Sequence, residues 1–192
     1  RPGRHLVGLL IGRGDIGLMN LGSIASRMPT TFDPPLDCSP ATLAGCHASV
    51  RALFDYWWAK RGTRQMPARG DIDPTELKAL LPHLILIDVV PDARRYVYRL
   101  VGTHEVEMRG GDPTGKTVKD AFYAESADHT ISFLDHVTRT RAPALYRGTY
   151  QPSSTRTQTE DTIFLPLSQD GAAVNMILVY GHIQWLKDDN RP

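Results

Sequence analysis

The sequence has few cysteines, no long apolar segment and no excess of one charge. Its 192 residues include only Cys38 and Cys46, which lie close together near the start. Two cysteines cannot supply a disulfide framework or a zinc site of four thiolates, and no segment approaches the roughly 20 apolar residues that cross a bilayer. We therefore predict a protein of the reducing cytoplasm with no membrane partner and no bound metal.

The charges are nearly balanced, with 22 Lys and Arg against 21 Asp and Glu and a net charge of +1. A dedicated nucleic-acid-binding protein normally has a strong basic excess, so we do not expect a nucleic-acid partner. Apolar residues make up 41% of the chain and charged residues 22%, as in ordinary soluble proteins. A chain of this length and composition can bury the core of one domain.

Sequence motifs of catalysis are also missing. The central part contains serines and histidines, but no G-x-S-x-G element or comparable nucleophile motif surrounds them. Gly12, Gly14 and Gly17 have the spacing of a dinucleotide-binding turn, but the residues that follow are interrupted by prolines and include no convincing strand. The neighbouring carboxylates Glu105 and Glu107 are assigned to a solvated surface. We predict no catalytic residue and no enzymatic activity, and a small-molecule enzyme is the least favoured alternative.

The N-terminal part differs in composition from the rest of the chain. It is rich in Gly, Pro, Ser and Thr and contains the stretch FDPPLDCSP, in which the prolines prevent regular structure. We predict a flexible or poorly ordered tail over residues 1–45, a domain over residues 46–187 and a short C-terminal tail over residues 188–192.

A helix with a large aromatic surface is predicted at the start of the domain. Its apolar side chains recur at helical spacing, and Gly62 provides a stop signal. Two adjacent tryptophans must be covered, either by the domain itself or by another copy of the chain. The interface candidates are therefore Phe54, Trp57 and Trp58.

The remaining pattern alternates between strands and short helices. After a short helix in DIDPTELKALLPHL come two strands, LILIDVV and RYVYRLVG, joined by a turn. Helical segments follow in HEVEMRG, DPTGKTVKDAF and ESADHTISFLDHVTRTRAP, and three further strands in ALYRGTY, TEDTIFLPLS and VNMILVYGHIQWL. This order predicts an α+β fold in which a five-stranded antiparallel sheet has short helices on one face and an N-terminal flanking helix.

Several motifs, in this order, resemble a bacterial PAS-like family known mainly from alphaproteobacteria. They are DIDP, LLPHL, YRLVGT, a D-x-T-G loop and LPLS-x-DG, and together they cover about residues 55–180. The resemblance implies a PAS-type fold that usually stands alone as a domain. It carries over no established chemistry, because a fold does not name a ligand.

The central helix gives no support for a bound cofactor. On a helical wheel His129 and His136 lie roughly 110–130° from the centre of its apolar side, whereas a haem ligand would face the pocket. Flavin-binding PAS domains of the light-sensing class need a reactive cysteine in the central helical region, and this chain has none there. We predict no cofactor.

A small-molecule pocket is the more credible site between the sheet and the helices. The candidate lining residues are Tyr98, Met108, Phe122, Phe133 and Leu134, and the Tyr98 hydroxyl could hydrogen-bond to an apolar or amphipathic ligand. The alternative, which close packing of protein interiors favours, is that the same residues form a filled core.

Two functions remain from the sequence. The first is a sensory or signalling domain that acts by small-molecule binding, by association with a signalling partner, or by both. The second is a constitutive interaction module with a filled core, which forms a homodimer or docks onto a partner through the tryptophan helix and an exposed face of the sheet.

Overall fold

The computed structural model describes residues 34–122, 126–153 and 156–185, and the structural statements below concern these residues, which lie in the unit Asp33–Pro192. The helices are α1 (Pro40–Ala44), α2 (Ala48–Arg61), α3 (Thr103–Arg109) and α4 (Ala127–Thr140). The strands are β1 (Leu84–Val89), β2 (Tyr96–Val101), β3 (Ala144–Ser153), β4 (Arg156–Leu167) and β5 (Met176–Trp185). No described helix is both long enough and apolar enough to cross a membrane.

The five strands form one antiparallel sheet in the order β2-β1-β5-β4-β3. Cross-strand partners share a face, because side chains alternate between the two faces along each strand. Thr162 of β4 pairs with Tyr146 of β3 and with Gly181 of β5, and the face that carries these residues is called the inner face. Tyr98 of β2 lies on the same face through its pairing with Ile87 of β1. The predicted α+β fold class is confirmed.

Helix α4 covers the inner face. Its N-cap is Ser126, whose side chain accepts a backbone hydrogen bond in the first turn. The buried side of the helix consists of Phe133, Leu134 and Val137, a spacing that places all three on one stripe. Phe133 stacks on Phe164 of the sheet with ring centroids 5.2 Å apart. Burial of each such side chain contributes about 1.5–3 kcal/mol to the free energy of folding.

Helices α1 and α2 cover the opposite, outer face. Trp57 of α2 is 1% exposed, and its indole Nε1–H donates to the carbonyl oxygen of Pro166 in β4 over 2.9 Å. Beneath α2, the outer-face residues Ile163 and Leu165 have no exposed surface. The interpretation that one sheet face is exposed for docking is therefore wrong for this face, because the chain's own helices fill it.

Order begins before the predicted domain start at residue 46. Ser39 caps α1 through a hydrogen bond from the amide of Thr42, and Leu36 pairs with Leu145 of β3. The prolines of this stretch are compatible with structure because Pro40 lies in the first turn of α1, where its missing N–H costs nothing. Residues 1–33 of the predicted tail (1–45), the predicted domain end at residue 187 and the predicted C-terminal tail lie outside the described residues.

Two predicted short helices are replaced by turns. In DIDPTELKALLPHL the amide of Glu76 bonds to Asp73 and that of Leu77 to Pro74, each three residues back. The Asp73 carboxylate also binds the amide of Thr75 at 2.8 Å, which favours a local turn over a helix. The segment DPTGKTVKDAF likewise forms turns and pairs through Thr117 with the edge strand β2.

Candidate functional site

Polar side chains are grouped between the inner face and helices α3 and α4. We call this group the inner polar cluster; its members are Tyr98, Glu105, Arg109, His129, Glu160 and Thr162. They come from β2, α3, α4 and β4, so the fold, rather than any local motif, brings them together. Buried polar groups require partners, and the partners in this cluster define its chemistry.

Helix α3 contributes an ion pair and covers Tyr98. Arg109 lies 3.9 Å from the Glu105 carboxylate, one helical turn away. Its guanidinium also donates to the Tyr98 hydroxyl over 3.4 Å and lies 5.3 Å from the centre of that ring. Burial raises the pKa of Glu105, and the positive charge of Arg109 opposes this shift. Burial likewise raises the pKa of Tyr98, so its hydroxyl stays protonated at neutral pH.

Strand β4 contributes a second carboxylate. The Thr162 hydroxyl donates to the Glu160 carboxylate over 2.8 Å. Burial nevertheless raises the pKa of Glu160, with the nearby His129 acting in the opposite direction. Gly181 lies opposite on β5, and a Cβ atom there would lie 3.2 Å from the Thr162 hydroxyl oxygen. A glycine at this position leaves that oxygen room to reach Glu160.

Aromatic rings form the wall next to Glu160. His129 meets the ring of Phe133 at 5.1 Å and that of Tyr146 at 5.3 Å, edge-on in both contacts. Tyr146 lies along its own strand, where a Cβ at position 148 would be 2.2 Å from the Tyr146 hydroxyl oxygen. Gly148 is therefore required for this position of the ring. Edge-on aromatic contacts of this kind favour a fixed ring arrangement.

A surface cavity of about 320 Å³ adjoins the inner polar cluster at the end of α3. Arg109 and Phe122 line it together with the glycine-rich loop at residues 110–113. Arg109 borders this cavity and also contacts Tyr98.

The structure brings together four of the five predicted pocket residues. Tyr98, Phe133 and Leu134 are buried and Phe122 is half-buried. Met108, in contrast, is 45% exposed, so its predicted position between sheet and helices is wrong. Helix α3 turns Glu105 and Arg109 inward, and at 100° per residue Met108 lies about 80° from their mean direction, on the exposed flank of the helix.

The three interface candidates occupy different environments. Trp57 belongs to the core, as described above, so it is not available to a partner; this part of the prediction is wrong because the sheet covers its ring. Phe54 is half-buried. Trp58 is 51% exposed, and the guanidinium of Arg61 lies 3.6 Å from the centre of its ring.

The histidines of α4 differ from one another. His129 is half-buried and meets the rings of Phe133 and Tyr146, rather than lying on the polar flank where the helical wheel places it, and His136 is half-buried as well. Across residues 34–122, 126–153 and 156–185, no group of three or more His, Cys, Asp or Glu side chains could hold a metal ion. The absence of a cofactor stays a prediction.

Sequence reasoning missed the charged members of the cluster. Glu105 was assigned to solvent, although α3 places it beside Tyr98. The signal for Glu160 is present in β4, because Glu160, Thr162 and Phe164 alternate with apolar residues and so share one face with a core phenylalanine. No sequence signal relates α3 to β4, which are about fifty residues apart along the chain.

This fold, a five-stranded antiparallel sheet with short helices packed on its inner face, is PAS-like. A family model described as a PAS domain matches residues 46–182. The chain belongs to the PAS domain family.

Solved structures of similar fold include sensory proteins. The chain is 18% identical to a sensory box sensor histidine kinase from Vibrio cholerae, with 59% of this chain and 88% of that chain covered and a TM-score of 0.41. It is 16% identical to a fungal LOV domain photoreceptor, with 70% and 93% covered and a TM-score of 0.38. No curated protein matches the chain.

Proposed function

We propose that this PAS domain is a sensory or signalling module that binds a small molecule at the inner polar cluster. The observation that carries the proposal is the pair of carboxylates Glu105 and Glu160, whose pKa values are both raised by burial on the same inner face. Perturbed titratable groups are concentrated at functional sites. Burial of such a carboxylate lowers the stability of the free protein. A ligand that donates hydrogen bonds to the carboxylate can offset this cost.

The chemistry of the cluster favours an amphipathic, partly aromatic ligand. Apolar surface comes from Phe122, Phe133 and Tyr146, and from Leu134 on the buried side of α4. The two carboxylates accept hydrogen bonds. Small-molecule sites generally combine such apolar walls with a few oriented polar groups. A ligand with amino or hydroxyl donors on a flat apolar body fits this combination.

The experiment is native mass spectrometry of the purified protein, before and after incubation with a library of such compounds. We expect wild type to retain a small molecule and Glu160→Gln to lose it, because the amide cannot provide the carboxylate's acceptor strength. Glu107→Gln is the matched control, since Glu107 is on the same helix as Glu105 but exposed. The proposal is contradicted if neither wild type nor Glu107→Gln retains a small molecule. It is also contradicted if wild type, Glu107→Gln and Glu160→Gln retain it equally.

Association through α2 is a second candidate function, supported by the exposure of Trp58. A tryptophan with half its surface in solvent and an arginine stacked on it has the composition that is enriched in protein interfaces. In this alternative the domain is a constitutive homodimer or docks onto a signalling protein through Trp58 and Phe54.

Trp58→Asp tests the association. We expect it to convert a dimer into a monomer in sedimentation velocity, whereas Met108→Asp, at a similarly exposed apolar residue on α3, leaves the dimer intact. A monomeric wild type, or a dimer that survives Trp58→Asp, would exclude this surface.

We further propose a non-catalytic protein of the bacterial cytoplasm, from the mainly alphaproteobacterial branch of the family, with neither nucleic acid nor a membrane as a partner. The near-balanced net charge of +1 and the two cysteines support this proposal. The ordered motifs DIDP, LLPHL and YRLVGT support the branch.

A further inference from the structure

A pair of stacked histidines attaches the start of α2 to the outer face of the sheet. The rings of His47 and His182 are nearly parallel, 8° apart, with centroids separated by 3.5 Å. His47 is also the N-cap of α2, and its Nδ1 atom accepts a hydrogen bond from the amide of Ser49 over 3.3 Å. That hydrogen bond requires a neutral ring, because both nitrogens of a protonated imidazole are donors.

Two more histidines continue this line along the same side of the molecule. His83, which precedes β1, is close enough to His182 to act on it electrostatically. The ring of His83 lies 4.3 Å from that of the exposed His104. We call His47, His182, His83 and His104 the histidine row; it contains four of the seven histidines of the chain.

Other charged groups that face the pair come from β3 and β4. The Asp161 carboxylate accepts the backbone amide of His47 over 2.8 Å and the Nε–H of Arg147 over 2.8 Å. Arg147 also donates to the Cys46 thiol, and Arg51 donates to the carbonyl oxygen of Cys46. The Asp161 carboxylate already binds a guanidinium and a backbone amide. It therefore compensates a second positive charge on the histidine row only in part.

We propose that the stacked pair of His47 and His182 is a pH-sensitive latch that holds residues 34–49 against the outer face at neutral pH and releases them below about pH 6.5. A proton on His182 places a positive charge against the face of the His47 ring, and a proton on Nδ1 of His47 would remove the cap acceptor of α2. The rest of α2 stays in place, because Leu53 is fully buried and Trp57 is bonded to the sheet. The release is therefore local.

The direction of the pH effect follows from the environment of His182. Burial, and then the neighbouring His47, lower the pKa of His182, while Asp161 opposes them. Burial, and then His104, also lower the pKa of His83. When the pKa of a histidine is lower in the folded state, unfolded or released chains bind more protons, so stability falls as pH drops through the unfolded value of about 6.5.

Release would open a cavity at the same place. A space of about 360 Å³ already lies between the α1–α2 junction and strands β3 to β5, lined in part by His47, Arg147 and Gln184. Leu43 and Cys46, which are 7% and 4% exposed, would become accessible. Release of residues 34–49 thus exposes apolar surface to which a partner protein could bind.

Hydrogen exchange of the full chain, measured by NMR at pH 7.5 and pH 5.5, tests the latch. We expect the protection factors of the Leu43, Cys46 and Val50 amides to fall about tenfold at the lower pH, because the released segment exchanges from its open form. The amides that pair β4 with β5 should keep their protection. Unchanged protection of the segment in wild type would overturn the proposal.

Variants of the two stacked histidines distinguish an effect of their titration from a general loss of folding. The double variant His47→Asn with His182→Gln keeps a residue that caps helices well but cannot titrate, so protection of residues 34–49 should no longer depend on pH. His136→Asn on α4 is the matched control and should retain the wild-type response. If the double variant still loses protection at pH 5.5, another group drives the release and the proposal is wrong.

A titration of the His182 ring gives an independent check. Removing the ring that stacks on His182, in His47→Asn, should raise the pKa of His182 towards the value of an isolated histidine, about 6.5. An unchanged His182 midpoint would show that the stacked rings are not coupled and would also overturn the proposal.

Discussion

At the scale of single residues, Glu160 has an environment that a purely structural residue would not need. It lies on the inner face among aromatic rings, with one hydrogen bond from Thr162. An apolar residue would pack there at lower cost, because burying a carboxylate disfavours its charged form. Such a cost in stability is expected if Glu160 belongs to the proposed binding site, because functional sites commonly lower stability.

Glu160→Gln should therefore stabilise the ligand-free protein at pH 7. Because the pKa of Glu160 is raised in the folded state, its stabilising effect is complete below about pH 4.3 and is lost as pH rises through the folded value. Glutamine keeps the acceptor for Thr162 without the charge, so we expect a gain on the order of 1 kcal/mol.

Urea denaturation at pH 7 and pH 4 measures this change. The difference between Glu160→Gln and wild type should shrink at pH 4, where the wild-type carboxyl is protonated. Glu107→Gln, the exposed control, should be neutral at both pH values. A loss of stability for Glu160→Gln at pH 7 would mean that the ionised carboxylate contributes to folding, contrary to our account.

At the scale of elements, α2 packs on the sheet through an apolar surface that includes one buried hydrogen bond, from Trp57 to Pro166. Trp57→Phe removes the indole donor, leaves the Pro166 carbonyl oxygen without that partner and creates a small cavity. We expect a loss of about 1–3 kcal/mol in the free energy of unfolding. Trp58→Phe should change it by less than about 0.5 kcal/mol, because Trp58 is half-exposed.

Urea unfolding measures the stability of both variants. An m-value equal to that of wild type shows that the variant changes the stability and not the compactness of the folded or unfolded state. Equal effects of Trp57→Phe and Trp58→Phe would show that the two tryptophans are not divided between core and surface as the structure places them.

The elements also show what a sequence can and cannot predict. The five strands follow from alternation and apolar runs, and α4 follows from its apolar stripe, because both signals are local. The sequence predicts a helix in the segment that begins at Asp73. The Asp73 side chain instead accepts a hydrogen bond from the backbone two residues on, which favours a turn. Which of the two adjacent tryptophans is buried depends on the sheet beneath α2, which helical spacing alone does not specify.

At the scale of the whole molecule, the sheet separates two polar regions. The inner polar cluster lies under α3 and α4, and the histidine row lies on the outer side near the start of α2. Tyr98 and Phe133 were predicted from the sequence as candidates for the inner face, whereas Tyr146 was not. The charged members of the inner polar cluster and the histidine row were not predicted either, because they are assembled from segments distant in sequence and depend on cross-strand register.

The most direct test of the central claim is the native mass of wild type beside that of Glu160→Gln. Our account predicts that wild type carries a small molecule, that Glu107→Gln carries it too, and that Glu160→Gln is found at its polypeptide mass while remaining folded. A wild-type protein that retains nothing from its host and binds no compound of the library would contradict the account and leave a filled core in its place.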